Sequence, residues 1–72
     1  MSDFSDRLRT LRATKKVTQK QVALGMGTAE RVYQGYELAE GEPNLANLMK
    51  LADYFDVSTD YLLGRTDEPK WR

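Results

Sequence analysis

The stretch from Thr18 to Glu37 predicts two short helices joined by one tight turn, and it constrains the fold more than any other feature. Thr18 and Gln21 stand at the spacing of a capping box, where two side chains each satisfy a free backbone amide. Gly27 ends this helix, because glycine adopts the left-handed conformation without steric cost. Thr28, a preferred N-cap residue, begins the next helix. Because the start at Thr18, the stop at Gly27 and the next start at Thr28 lie so close together, this stretch predicts two short helices and neither a strand nor one long helix.

The second helix of this pair, predicted from Thr28 or Ala29 to Leu38, has two contrasting faces. At about 100° per residue, one arc that we expect to be buried contains Ala29, Val32, Tyr33 and Tyr36. The opposite arc is polar or small and contains Glu30, Arg31, Gln34 and Gly35. Two consecutive short helices, the second presenting a polar face, form a helix-turn-helix arrangement.

Apolar spacing on both sides of this pair predicts three further helices. Phe4, Leu8 and Leu11 follow the i, i+4, i+7 pattern, which predicts a first helix from about Ser5 to Lys15. A loop at 38–43 then precedes a fourth helix, for which Asn44 is the expected N-cap. The apolar stripe expected along that helix consists of Leu45, Leu48, Leu51, Ala52 and Phe55.

The remaining chain predicts a buried link at Val57 and a short fifth helix from Thr59 to Leu63, capped by Ser58 and closed by Gly64. The expected fold is therefore all-α, a compact five-helix domain spanning residues 1–64. Residues 65–72 are polar, and we expect them to form a loose C-terminal tail.

The 72 residues contain neither cysteine nor histidine. Their absence excludes disulfides, thiolate or imidazole metal ligands, and nucleophiles paired with histidine. The carboxylates of Glu37, Glu40 and Glu42 fall at a helix end and in a loop, where we expect no enclosed pocket to raise a pKa. We therefore expect no enzymatic activity, no cofactor and no metal.

Two features of the sequence bear on its location. No apolar run approaches the ~20 residues that span a bilayer. The N-terminal residues are acidic and lack the apolar segment of a signal peptide. We expect a cytoplasmic protein without a membrane partner.

Charge is distributed unevenly, although the formal net charge is zero. Residues 1–36 contain seven basic and three acidic side chains, whereas residues 37–72 contain four basic and eight acidic ones. A polarity of this kind orients a domain on a polyanion such as nucleic acid.

Motifs along most of the chain resemble those of one family. They are Arg7-Leu8-Arg9, Arg12, Thr18-Gln19, Val22-Ala23, Gly27, Tyr36-Glu37, Glu42-Pro43, Leu48, Leu51-Ala52, Val57-Ser58 and Asp60-Tyr61-Leu62-Leu63-Gly64. Over residues 4–64 they resemble the phage lambda repressor-like domains, also called Cro/repressor-type or XRE-type. The resemblance implies a bacterial or phage transcription regulator, usually a homodimer, that binds double-stranded operator DNA. Residues 28–37 would be the recognition helix in the major groove.

The resemblance also implies the residues that contact DNA. Gln19 matches a position at the start of the second helix that touches DNA. The groove-facing positions are Glu30, Arg31, Gln34 and Gly35, with Thr28 and Ala29 at the entry. Arginine pairs bidentately with guanine, glutamine with adenine, alanine with the thymine methyl group, and glutamate accepts from cytosine N4. Gly35 offers no contact.

Other matched positions are structural or depart from the family pattern. Arg12 and Glu37 match positions that form a structural ion pair, whereas Tyr33 and Tyr36 are expected in the core. The loop at 38–42 is acidic where the family usually has glycine and basic residues. The cations left for phosphate contact are Arg9, Lys15, Lys16, Lys20 and Arg31. If four of them contact phosphate, log K falls against log salt with a slope of about −3.6.

The sequence leaves two questions open, namely the function of the domain and the contacts of a homodimer. The alternative function is a protein-protein interaction module of the same fold, with weak or lost DNA binding. Its main support is Trp71, because a lone tryptophan in a polar tail is typical of a partner surface. For a homodimer, the apolar run after Ser58 favours contacts through Tyr61, Leu62 and the tail.

Overall fold

The computed structural model describes residues 3–69, and in this range it contains five α-helices and no strand. The helices are α1 (Asp3–Lys15), α2 (Gln19–Met26), α3 (Glu30–Glu37), α4 (Leu45–Phe55) and α5 (Thr59–Leu62). The predicted all-α, five-helix fold is confirmed. Helix α1 begins two residues earlier than predicted, and α3 begins at Glu30. No helix in the described range is long and apolar enough to cross a membrane.

One small core holds the helices together. Helix α3 packs against α1 and α2, while α4 packs against α2 and α5. The buried apolar residues are Leu8, Val22, Ala23, Met26, Tyr33, Tyr36, Leu51, Ala52, Phe55, Val57 and Leu62. Every helix contributes at least one of them, so α3 is fixed by the same core that holds the other four helices.

The helix ends follow the local signals in all but one case. Thr18 and Gln21 form the complete capping box, and Gly27 ends α2 in the left-handed conformation with φ of 75°. Asn44 and Ser58 cap α4 and α5 through their side chains. The prediction that Thr28 caps α3 is wrong, because the N-cap residue is Ala29, which provides no side-chain hydrogen bond.

Three apolar residues assigned to buried stripes lie at the surface. Val32 is 40% exposed, because the buried side of α3 is centred on Tyr33, Tyr36 and Glu37. Leu45, in the first turn of α4, is 80% exposed. Ala29 is also exposed, so the arc expected to be buried is narrower than the periodicity suggests.

The segment after α5 is not loose. Arg7 donates to the backbone oxygen of Thr66 and to the Asp67 carboxylate, at 2.9 and 2.8 Å. The Ser58 amide donates to the Pro69 carbonyl oxygen at 2.9 Å. The expectation of a loose tail is therefore wrong for residues 65–69. Trp71 lies outside the described residues, and the domain boundary at residue 64 stays a prediction.

The dimer contacts expected at α5 conflict with the packing of that helix. Leu62 is fully buried in the core of its own chain. Tyr61 is half-buried beneath the Arg7 guanidinium, whose central carbon lies 4.1 Å from the ring centroid. Leu62 is thus unavailable to a second copy, and Leu63, which is 45% exposed, is the accessible apolar residue of this run.

Gly35, in the middle of α3, has open space around it. A Cβ atom built on this residue meets no atom within 4 Å beyond its own helix and neighbours. We expect Gly35→Ala to raise the free energy of unfolding by about 0.5–1 kcal/mol, because alanine loses less backbone entropy in a helix. Urea unfolding followed by circular dichroism measures this change. An unchanged or lower midpoint would contradict the expected gain.

Candidate nucleic-acid interface

The orientation of α3 is fixed by a polar network around Glu37, its last residue. The Glu37 side chain is 3% exposed and accepts hydrogen bonds from three helices. Arg12 of α1 donates through Nε at 2.6 Å and through Nη2 at 3.2 Å. Gln19 of α2 donates through Nε2 at 3.0 Å, and the Tyr33 hydroxyl of α3 donates at 2.5 Å. The network therefore ties both helices of the helix-turn-helix to α1.

The network sets the charge states of its members. Burial alone would raise the pKa of Glu37, but hydrogen bonds from Arg12, Tyr33 and Gln19 outweigh it and lower the pKa below its ordinary value. The hydrogen bond to Glu37 raises the pKa of Arg12. Burial, followed by the bond to Glu37, raises the pKa of the Tyr33 hydroxyl. At neutral pH the centre of the network is an ion pair with a neutral phenol beside it.

Two members of this network were not predicted from the sequence. The ion pair of Arg12 and Glu37 was expected, but Gln19 was assigned only to DNA and Tyr33 only to the core. Tyr33 precedes Glu37 by four residues, a spacing at which helical side chains are neighbours, and this signal could have found the bond. The bond from Gln19 crosses between helices that sequence spacing does not relate.

The outward side of α3 presents a short polar surface. Arg31 is exposed, and a Cβ atom built on Gly35, one turn later, would meet open space. Gln34 is half-buried on the flank, and its Nε2 donates to the Glu30 carboxylate at 3.3 Å. Thr28 and Ala29 lie just before the helix. The residues of α3 that were predicted to contact DNA therefore lie on one side of the helix, and Thr28 and Ala29 lie at its beginning.

The cations divide into paired and unpaired groups. Arg9, expected at phosphate, instead donates to the Asp6 carboxylate and to the Glu37 carbonyl oxygen. Arg7, Arg12 and Arg65 also lie against carboxylates. In residues 3–69, five exposed cations form no ion pair, namely Lys15, Lys16, Lys20, Arg31 and Lys50. The first three precede or begin α2, Arg31 is in α3, and Lys50 is in α4. The Lys15 ammonium lies 5.5 Å from the Tyr54 ring centroid. Lys15, Lys16, Lys20 and Arg31 are therefore not engaged by a carboxylate and are accessible to a polyanion.

Helices α2 and α3, the buried Glu37 network that holds them and the exposed cations beside them are the features of a helix-turn-helix protein. A family model described as "Helix-turn-helix" matches residues 8–62, and the chain belongs to this family. This membership confirms the resemblance drawn from the sequence.

Named relatives agree with this assignment. The chain is 46% identical over 66 residues to the uncharacterized HTH-type transcriptional regulator YobD of Bacillus subtilis, covering 92% of this chain and 59% of the relative. It is 42% identical over 67 residues to the cryptic phage CTXphi transcriptional repressor RstR of Vibrio cholerae, covering 90% of this chain and 60% of the relative. The chain therefore spans about three fifths of the length of these curated relatives.

Solved structures show the same fold. The P22 c2 repressor, in complex with a synthetic operator, superposes with a TM-score of 0.81 at 32% identity, covering 83% of this chain and 91% of that one. The restriction-modification controller protein C.AhdI of Aeromonas hydrophila gives 0.79 at 31% identity, with coverages of 85% and 92%.

Proposed function

We propose that this domain binds double-stranded operator DNA sequence-specifically, as a bacterial or phage transcription regulator of the repressor type. The observation that carries the proposal is the exposed side of α3, which presents Arg31 and Gln34 while the Glu37 network holds the helix from behind. A helix presented in this way enters the major groove. The P22 c2 repressor, which has the same fold, forms a complex with a synthetic operator, and this supports binding to DNA.

Each side chain has a specific role in this proposal. Arg31 reads guanine through O6 and N7, and Gln34 reads adenine. Thr28 and Ala29 lie at the groove entry, where the alanine methyl contacts a thymine methyl. The Gln19 amide nitrogen is held by Glu37, so its oxygen and the α2 N-terminus face the phosphates. Lys15, Lys16 and Lys20 neutralise phosphates.

We also propose that the regulator acts as a homodimer in the cytoplasm. About four phosphate contacts give a monomer modest affinity, and two half-sites bound together increase it. Leu63 borders an apolar cleft of about 320 Å³ that is also lined by Phe4, Pro43 and Leu48. This side of the domain replaces Tyr61 and Leu62 as the expected contact with a second copy.

Selection from a pool of random duplexes tests the function. We expect enrichment of a palindromic motif, and a slope of log K against log salt of about −3.6 per domain. Arg31→Ala should weaken binding to the selected duplex about 5- to 150-fold, since a bidentate arginine–guanine pair discriminates by ~1–3 kcal/mol. Arg65→Ala, which removes an exposed guanidinium outside α3, is the matched control.

Two outcomes would count against the proposal. No enrichment at any salt concentration would exclude sequence-specific binding. Enrichment of a single half-site, with no inverted repeat, would exclude the homodimer while keeping the DNA-binding function.

A further inference from the structure

The side-chain pair of Glu30 and Gln34 lies on the flank of α3 and begins at its first residue. The two residues are one turn apart, and Gln34 Nε2 donates to Glu30 Oε2 at 3.3 Å. An ionised carboxylate only accepts hydrogen bonds. The amide of Gln34 must therefore turn its nitrogen, and not its oxygen, toward Glu30.

This orientation has a chemical consequence for Gln34. An amide nitrogen carries two hydrogens, and the bond to Glu30 uses one of them. The second hydrogen and the amide oxygen remain side by side as a donor and an acceptor. Adenine presents N7 as an acceptor and N6 as a donor in the major groove, which matches this pair. The reversed amide would offer Glu30 an oxygen and is excluded by repulsion.

We propose that Glu30 is a positioning residue that fixes the amide of Gln34 for adenine, and does not itself read a base. The inference rests on the proposed DNA-binding function and deepens it. Glu30 is exposed at the first residue of α3, so its negative charge also repels phosphates and lowers affinity for any duplex. Glu30 thus lowers the affinity for every duplex and raises the preference for adenine at one base pair.

The test compares base preferences of variants on the motif selected by the wild-type domain. Gln34→Ala first identifies the base pair that Gln34 reads, as the position whose base preference is lost, and we expect that base to be adenine. Glu30→Ala should lower the adenine preference at that position about threefold to tenfold, because the variant loses only part of the discrimination of one bidentate contact. The same variant should bind a scrambled duplex more tightly, because a negative charge has been removed.

Two further variants separate positioning from charge. Glu30→Gln retains an acceptor oxygen for Gln34 and should keep most of the adenine preference. Glu40→Ala removes an exposed carboxylate from the loop after α3 and should leave the preference unchanged. Circular dichroism confirms that each variant is folded.

The outcomes distinguish this inference from the proposed function. Full adenine preference in Glu30→Ala, or a preferred base other than adenine at the Gln34 position, overturns the positioning role and leaves DNA binding intact. Absence of any selected motif with the wild-type domain overturns both.

Discussion

The Glu37→Gln variant is expected to lose about 3–5 kcal/mol of unfolding free energy, the cost of breaking a buried ion pair by removing one partner. The glutamine amide would turn a donor toward Arg12, Gln19 or Tyr33, all of which donate to Glu37. A domain of this size is stable by only about 4–11 kcal/mol. We therefore expect the variant to lose a large part of the stability of the domain.

The same carboxylate predicts how stability depends on pH. The pKa of Glu37 is lowered in the folded state, so its contribution is complete above the unfolded value of about 4.3. It is lost as pH falls through the lower, folded pKa. Urea unfolding between pH 7 and pH 3 measures this loss. Glu40→Gln, which changes an exposed carboxylate, is the control and should follow the wild type. Equal stability of Glu37→Gln and the wild type at pH 7 would contradict the role of the network.

Gly25→Ala is expected to destabilise the domain by up to about 2 kcal/mol, although alanine is the better helix former. A Cβ atom at Gly25 would lie 2.5 Å from Cε1 and 2.7 Å from Cδ1 of the Tyr54 ring. Overpacking of this kind costs about 1–3 kcal/mol, against which the gain in helix propensity is ~1 kcal/mol. The ring cannot simply move inward, since it packs edge-on against Phe55 at a centroid distance of 5.1 Å.

A double-mutant cycle tests the cause of this effect. In a Tyr54→Ala background the ring is absent, so Gly25→Ala should become stabilising by up to ~1 kcal/mol. Thermal and urea unfolding of the four proteins measure the sign change. If Gly25→Ala destabilises both backgrounds equally, the close approach of α2 and α4 is not the reason for glycine here.

Much of the fold follows from local signals in the sequence. The capping box at Thr18, the left-handed Gly27 and the caps at Asn44 and Ser58 depend on neighbours a few residues away, and all were predicted. Val32 and Leu45 were assigned to the core because periodicity gives a direction around a helix. Periodicity does not say how much of that side of the helix is covered by neighbouring helices. That coverage decides whether Val32 and Leu45 are buried.

The candidate site was less predictable than the fold. Arg9 was assigned to phosphate, yet Asp6 and the Glu37 carbonyl oxygen engage it. Gln19 joins the Glu37 network across 18 residues of sequence. These contacts depend on how helices cross, which the positions of polar residues in a sequence do not determine. Similarly, the sequence shows Gly25 only as a poor helix former. The reason for glycine there is the closeness of the Tyr54 ring, which the structure reveals.

Gly35 gives this surface an unusual evolutionary freedom. Most substitutions that create a new contact destabilise a protein, so new specificity is usually limited by the stability in reserve. At Gly35 a new contact and a gain in stability are compatible, because the space is open and any ordinary helix former is favoured over glycine. A single replacement there would add a side chain beside Arg31 and strengthen the helix that bears it. Under the proposed function, a single substitution at this position would change the preferred operator without a compensating mutation elsewhere.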